Sequence, residues 1–382
     1  MHYAIVTETY PPDVNGVALT VQSLETGLRA RGHRVSLVRP RQQGAHAAAT
    51  DHALVPGFAL PRYPGLRAGM PAARLLGRTW RHARPDAIYI ATEGPLGWSA
   101  MRAARHLGIP VATGLHTRFD EYMRDYRVPW LQPVALAWMR HFHNRADATL
   151  VPTRELEAWL HGCGFRHGRL LRRAVDTGLF DPAKRSETLR ADLGVAPGAP
   201  LLIHVGRLAA EKNLPLALRG LRMLQAHRPE ARMVWVGDGP LRGQLQRENP
   251  DCLFTGVQRG EELARLFASA DLFVFPSLSE TFGNVTLESM ASGVPVVAYD
   301  YAAAREHLRD GVHGAAIAAG DEDGFLAATV RLGSNMPQLR AMGAAARAAV
   351  QGLSPQQVAA DLDHLLRRLR NREHAHVDNA AA

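Results

Sequence analysis

The sequence predicts an α/β protein made of two doubly wound parallel sheets, and three observations carry that prediction. Short apolar runs alternate with helix-period segments from one end to the other; the alternation pauses once near the middle; and 382 residues suffice for two domains that each bury a core.

In chain order, YAIVT (3–7), VSLV (35–38), AIYIAT (87–92), PVATG (110–114) and ATLV (148–151) read as strands. Runs that are apolar on both faces belong to parallel sheets covered on both sides. Between the first two, Val17, Val21, Leu24 and Leu28 form one stripe of an amphipathic helix. From Arg172 to Pro200 the chain turns polar, with turn signals at Asp181-Pro182 and Ala196-Pro197-Gly198. A second series follows: LLIHVG (201–206), RMVWVG (232–237), CLFTG (252–256), LFVFP (272–276) and PVVAY (295–299). One helix between them opens at Asn213-Leu214-Pro215, with proline in its first turn. These runs predict a first domain over 1–174, a linker over 175–200 and a second domain over 201–353. A helix over 354–370 returns toward the first domain, and residues 371–382, lacking periodicity, are expected to be disordered.

Hydrophobic content of 46% and charged content of 21% are those of a globular protein. The opening MHYAIVTETY has no basic n-region or apolar h-region, and no apolar run approaches the ~18 residues of a membrane span, so neither a signal peptide nor a spanning helix is expected. Cys163 and Cys252 have no metal-ligand spacing and make no disulfide framework, which points to the cytoplasm. Charge is uneven. Residues 1–175 carry 23 Lys and Arg against 12 Asp and Glu (+11), the remainder 22 against 24 (−2), summing to the formal +9. A basic first half implies an anionic partner or a compositional bias toward arginine.

In open α/β sheets ligands bind at the carboxyl ends of strands, so the following loops hold the candidate sites. After YAIVT, Asn15-Gly16 permits positive φ and close approach at a helix start; it reads either as an anion-binding turn or as a plain turn glycine. No G-x-G-x-x-G follows this strand. After LLIHVG, Arg207 and Lys212 suit a pyrophosphate clamp, a planar fork beside a mobile point charge. Backbone groups between Gly237 and Val257 would frame a nucleobase. After LFVFP, Glu280 lies in a loop and Glu288 one turn inside a helix, with the free amides of Gly283, Asn284 and Val285 between them. Two carboxylates that accept hydroxyl pairs, flanking a phosphate position, read as a site for a nucleoside diphosphate sugar. The plain alternative makes Glu280 a helix cap and Glu288 a solvated residue.

E-TFGNVTL-E (280–288) resembles the E-x7-E motif of family 4 retaining glycosyltransferases, and HVGRLAAEKN resembles their GR-x4-EKN loop. WVGDGPLR, SGVPVVA and DGVHG fall in the family's order, and RRAVDTGLFDP resembles its interdomain segment, with Ala174 where glycine is usual. The resemblance covers nearly the whole chain. It implies the GT-B fold, two Rossmann-like domains facing each other across a cleft. It implies that Glu288 takes the ribose and Glu280 the donor sugar, that Arg207 and Lys212 hold the diphosphate, and that Gly16 approaches from the other domain. His116 in TGLHTRFDEY is implied beside the reacting sugar, through its ring or its backbone. GDP-mannose is the first-choice donor and a UDP-sugar the second, because the motifs look most like the mannosyltransferase and sulfolipid branch. No further cofactor and no metal are expected. Asp321-Glu322-Asp323 and Asp361-Leu362-Asp363 read as helix-terminus charge and solvated faces, with Arg207 and Lys212 in place of a cation.

The acceptor belongs in the first domain. Residues 58–85 and 118–133 interleave basic residues with aromatics, among them Arg62, Tyr63, Arg67, Trp80, Arg118 and Tyr122. They read either as a surface for an anionic bilayer and a lipid or lipid-linked acceptor, with peripheral attachment at the inner face of the membrane, or as a loop and a core-packed helix. Two other functions compete. A nucleotide-sugar 2-epimerase of similar fold would need its own acid and base carboxylates. A nucleic-acid-binding protein would explain the basic half, but the sequence lacks RNP-like aromatics, zinc ligands and a helix-turn-helix signal, so no nucleic acid is expected.

Overall fold

A computed structural model describes residues 1–13, 15–41, 51–59, 67–116 and 129–381, with backbone only at 59, 67, 129 and 373–381. The chain forms two compact units: residues 1–173 with 355–382, and residues 174–354.

The first unit holds a seven-stranded sheet in the order β3-β2-β1-β6-β7-β8-β9. Its strands are β1 (His2–Val6), β2 (Arg34–Pro40), β3 (His52–Val55), β6 (Ala87–Ile90), β7 (Val111–Gly114), β8 (Ala148–Val151) and β9 (Gly168–Leu170); β4 (Gly57–Ala59) and β5 (Arg67–Gly69) make a separate antiparallel pair. All pairings in the large sheet are parallel, and helices connect most of its strands: α1 (Gly16–Ala30), α2 (Ala73–His82), α3 (Pro95–His106), α4 (Gln132–His143) and α5 (Arg154–Gly162). The strand order reverses between β1 and β6, which opens a crevice at their carboxyl ends.

The second unit repeats the plan with six strands in the order β12-β11-β10-β13-β14-β15. These are β10 (Leu201–Val205), β11 (Arg232–Val236), β12 (Leu253–Gly256), β13 (Leu272–Phe275), β14 (Val296–Tyr299) and β15 (Gly314–Ile317). The helices are α6 (Glu187–Asp192), α7 (Leu214–Gln225), α8 (Arg242–Glu248), α9 (Gly260–Ser269), α10 (Asn284–Ala291), α11 (Ala302–His307), α12 (Glu322–Gly333) and α13 (Met336–Val350). Alternate strand residues feed two cores. Leu201, Ile203 and Phe273 pack with Phe267 and Met290 on one face; Leu202, Met233 and Val274 pack with Leu221 and Phe325 on the other. This two-sided burial is why the strands read as unbroken apolar runs.

Residues 175–200, expected as a linker, instead build the second unit. Val175, Phe180, Val195 and Ala199 enter its core. Arg190 on α6 is buried and donates to Asp271 at 3.0 Å, to the Ser269 carbonyl at 2.7 Å and to the Ala199 carbonyl at 2.6 Å. Polar composition misled because the segment is organised by a buried guanidinium together with scattered apolar residues that form no long periodic stripe.

The chain returns to the first unit as α14 (Pro355–Ala381). Its backbone runs helically through most of the stretch expected to be disordered. Once a helix is anchored, each added residue closes a further hydrogen bond, and Ala, Arg and Glu have high helix propensity. The anchor is tight: a Cβ on Gly27 of α1 would lie 2.4 Å from the Ala359 Cβ. Asp363, expected on a solvated face, is 1% exposed. Its carboxylate accepts from Tyr3 Oη at 2.7 Å, Arg31 at 3.1 Å and Arg367 at 2.9 Å, and His33 Nε2 lies 3.1 Å away. Burial alone would raise its pKa, but the donors from Arg367, Tyr3, His33 and Arg31 together hold it well below the usual carboxylate range. A depressed carboxyl contributes stability above its unfolded pKa and loses it as pH falls. Asp363→Ala should therefore destabilise the first unit by about 3–5 kcal/mol at neutral pH. In urea titrations the deficit relative to wild type should shrink once pH falls through and below the ordinary carboxyl range.

Candidate functional site

The second unit's switch point lies between β10 and β13, and the loops after those two strands meet there. The turn after β10 begins at Gly206, with φ of 152°, and the turn after β11 at Gly237, with φ of 141°. A Cβ on residue 237 would lie 1.9 Å from the Gly206 carbonyl oxygen, and one on residue 239 lies 2.5 Å from that of Leu208. Gly237 is thus required by the packing of backbone on backbone. Leu208 N–H donates to the Asp238 carbonyl at 2.9 Å and Leu241 N–H to that of Leu208 at 3.0 Å, which joins the two loops into one ledge. Val257, 47% exposed, stands just beyond β12.

From that ledge Lys212 reaches over the switch point. Its ammonium forms an ion pair with Glu280 in the loop after β13, and Ser277 Oγ donates to the same carboxylate oxygen at 2.9 Å. Leu278 N–H donates to the Glu211 carbonyl at 2.8 Å, and the Tyr301 hydroxyl to the Ser277 carbonyl at 2.8 Å, so the loop is pinned from two sides. Arg207 pairs with Glu211 on its own loop. The sequence placed Lys212 and Glu280 in one site but as holders of different parts of a ligand; their direct contact, and Ser277 as its third member, were not foreseen.

Gly283 precedes α10 in the left-handed region, with φ of 87°, and no side chain caps the helix. Thr286 N–H donates to the Gly283 carbonyl at 3.0 Å, while the amides of Asn284 and Val285 have no acceptor among the described residues and are open to a ligand or water. Glu288, one turn further on, is half-buried, and its carboxylate has no hydrogen-bond partner among the described residues. Burial pushes its carboxyl up to about 7.

The first unit places the remaining candidates. Gly16 is the first residue of α1, helical rather than at positive φ; the cap is the extended Asn15, whose side chain accepts from Ala18 N–H at 2.8 Å. The glycine keeps the first turn bare without adopting a conformation that needs it. His116 follows β7, its ring held between Tyr89 and Arg173. Trp80, expected on a membrane surface, is 2% exposed. On α2 Leu76, Gly77 and Trp80 face the core while Arg74, Arg78 and Arg81 stay exposed, so the interleaving of aromatic and basic residues was helical amphipathicity seen from one side. Arg62, Tyr63, Arg118 and Tyr122 lie outside the described residues, as does the Arg67 side chain. The sequence reading also passed over Glu8, beyond β1, which accepts from Leu96 N–H at 2.8 Å across the first unit's switch point. Burial, set against that bond and aided by Glu93, pushes its carboxyl up to about 7.

Comparison with known proteins gives a consistent picture. The family described as "Glycosyltransferase Family 4" matches residues 14–179, and "Glycosyl transferases group 1" matches residues 199–335. A GDP-mannose-dependent alpha-mannosyltransferase of Mycobacterium tuberculosis is 36% identical over 79% of this chain and 80% of its own. An alpha-monoglucosyldiacylglycerol synthase of Streptococcus pneumoniae is 27% identical over 78% of this chain and 71% of its own. Among solved structures, Anabaena HepE in complex with UDP superposes with a TM-score of 0.76 at 20% identity, over 96% of this chain and 100% of that one.

The raised Glu288 carboxyl has a measurable consequence. A buried acid whose pKa is raised costs stability when ionised, and that cost grows as pH rises from its unfolded value to its folded one. Glu288→Gln should match wild type near pH 4 and be the more stable by up to about 3 kcal/mol above pH 7, as read from denaturant unfolding at the two pH values. Equal stabilities above pH 7 would mean that the carboxylate is solvated.

Proposed function

Because the chain belongs to glycosyltransferase family 4 and has the GT-B fold, we propose that it is a retaining, metal-independent hexosyltransferase that moves mannose from GDP-mannose to a hydroxyl of a lipid or lipid-linked acceptor. The observation that carries the donor half is the Lys212–Glu280 ion pair across the second unit's switch point, with the unpartnered Glu288 one turn into α10. A nucleoside diphosphate sugar answers each of these groups. Ribose hydroxyls donate to Glu288 and relieve its buried charge. The diphosphate takes the free amides at Asn284 and Val285 and the cations of Arg207 and Lys212. The sugar hydroxyls donate to Glu280, with Ser277 holding the carboxylate in place. As the bond from sugar to phosphate breaks, negative charge grows on the phosphate, and cations and amides already in position stabilise it without rearranging. Lys212 and Arg207 then do what a divalent cation does in other nucleotide-sugar enzymes. The nucleobase rests on the ledge near Gly237 and Val257. GDP is favoured over UDP by the mannosyltransferase relative; a UDP-sugar is the second choice.

The acceptor half rests on the first unit's surface. Trp130, Val134 and Trp138, spaced four apart at and along α4, are 73%, 63% and 40% exposed, and Met70 and Leu75 are exposed beside the basic face of α2. Aromatics at helical spacing with arginines nearby suit the headgroup region of an anionic bilayer. No helix among the described residues is long and apolar enough to cross a membrane, so contact of this kind would be peripheral.

Thermal shift with GDP, UDP and ADP in the presence of EDTA tests the donor half. GDP at ~100 Kd should add about 2.7 kcal/mol of stability, and Glu288→Ala should abolish the shift. A protein that binds none of the three, or binds only when a divalent metal is restored, would contradict the reading. Vesicle flotation tests the acceptor half: replacing Trp130 and Val134 by serine should weaken binding to anionic vesicles about tenfold or more, the expected loss when exposed apolar groups no longer enter the bilayer.

A further inference from the structure

His116 is held more completely than a loop histidine needs to be. Tyr89, on β6 and 1% exposed, places its hydroxyl 2.7 Å from Nε2, and the Arg173 guanidinium donates to Nδ1. Gly114 makes room for the contact: a Cβ there would lie 2.2 Å from the Tyr89 oxygen and 2.5 Å from His116 Nε2. Arginine only donates, so Nδ1 must present its lone pair; the ring proton is then on Nε2 and points at Tyr89. Both ring nitrogens are occupied. No described residue hydrogen-bonds the His116 main-chain oxygen.

Arg173 gains little stability from this arrangement. It has no carboxylate partner among the described residues, and its Nε is buried without any partner. A desolvated guanidinium lacking a counter-ion costs free energy. Its presence is explained by what it does to the ring. Among the described residues the groups facing His116 are Arg173, Tyr89 and, from α4, His143, with Glu93 3.9 Å behind His143. Burial, the Arg173 charge and His143 hold the imidazole well below its ordinary range, because a second cation would be forced against the first.

We propose, resting on the glycosyl-transfer reading, that Tyr89 and Arg173 are positioning residues which lock His116 as the neutral Nε2–H tautomer. With both nitrogens occupied, the ring is a fixed group beside the sugar rather than an exchanger of protons. Nitrogen-15 NMR of the histidine rings, assigned with His116→Gln, tests this without turnover. The wild-type ring should keep the Nε2–H signature from about pH 5 to about pH 8, across the range where free histidine titrates. In Arg173→Met the ring should titrate within that range, and kcat should gain an acid limb, falling about tenfold from pH 8 to pH 5.5 while donor affinity changes less than about twofold. Arg173→Lys should return much of the flat profile, and Tyr89→Phe, which keeps the packing and leaves the Arg173 donor in place, should keep the Nε2–H form but shift its Nε2 resonance as the acceptor is lost. A wild-type ring that titrates between pH 5 and pH 8, or that carries its proton on Nδ1, would overturn the proposal. So would an activity loss in Arg173→Met that is equal at every pH. Since the ring signals need no catalysis, an absence of sugar transfer would sink the functional reading alone.

Discussion

The second unit turns on one contact between two main chains. The Gly206 carbonyl occupies the space a side chain on residue 237 would fill, and Leu208 is hydrogen-bonded to both Asp238 and Leu241. With the two turns fused, the loop carrying Arg207 and Lys212 cannot wander, and a lysine on a four-carbon stem still arrives at a fixed carboxylate. That ion pair is partly buried, with side chains 14% and 15% exposed. Pairs of this kind are poor sources of stability, since desolvation offsets their attraction. In the function proposed above, its two members are donor-binding groups that hold each other at the switch point.

The two units solve the same topological problem with opposite chemistry. In each, the strand order reverses beside the first strand, and a side chain from the loop after one strand crosses to the loop after the other. In the second unit the crossing group is a lysine. In the first it is Glu8, whose carboxylate stands where a cap for α3 is wanted; Gly94 supplies none, and a Cβ there would lie 2.0 Å from the Glu8 oxygen. The unit proposed to hold the diphosphate presents cations and bare amides at its crevice, whereas the unit proposed to meet the acceptor presents carboxylates. The excess positive charge of the first unit lies instead on exposed helix faces such as that of α2.

Much of this was legible in the sequence because fully covered strands leave no ambiguity. LLIHV and LFVF cannot be solvated on either face, and the order of such runs fixes the sheets. Short strands escaped: GAAI of β15 and GRL of β9 are too small or too polar to stand out from turns. Motifs named residues without their partners. Nothing local to Glu280 announces Lys212, 68 positions away, and nothing local to His116 announces Arg173, 57 positions away. Trp80 was misjudged because a list of aromatics and arginines has no inside or outside until the helix they share is wound, and Asp363 because one acidic residue on a polar helix looks like its neighbours until Tyr3, Arg31 and His33 are brought to it from elsewhere.

That last residue bears on how the protein is made. Tyr3, Arg31 and His33 leave the ribosome before any of the second unit, yet the carboxylate they enclose is encoded more than three hundred positions later. The second unit lies wholly between them, and everything it needs has been translated before α14 begins. Order of synthesis and order of completion are therefore uncoupled: the later unit needs nothing encoded after it, whereas the earlier one keeps a patch of α1 and β1 uncovered until α14 arrives. During that interval the nascent chain carries an exposed seam formed by Gly27, Tyr3 and their neighbours, the kind of surface that chaperones and unwanted partners both recognise.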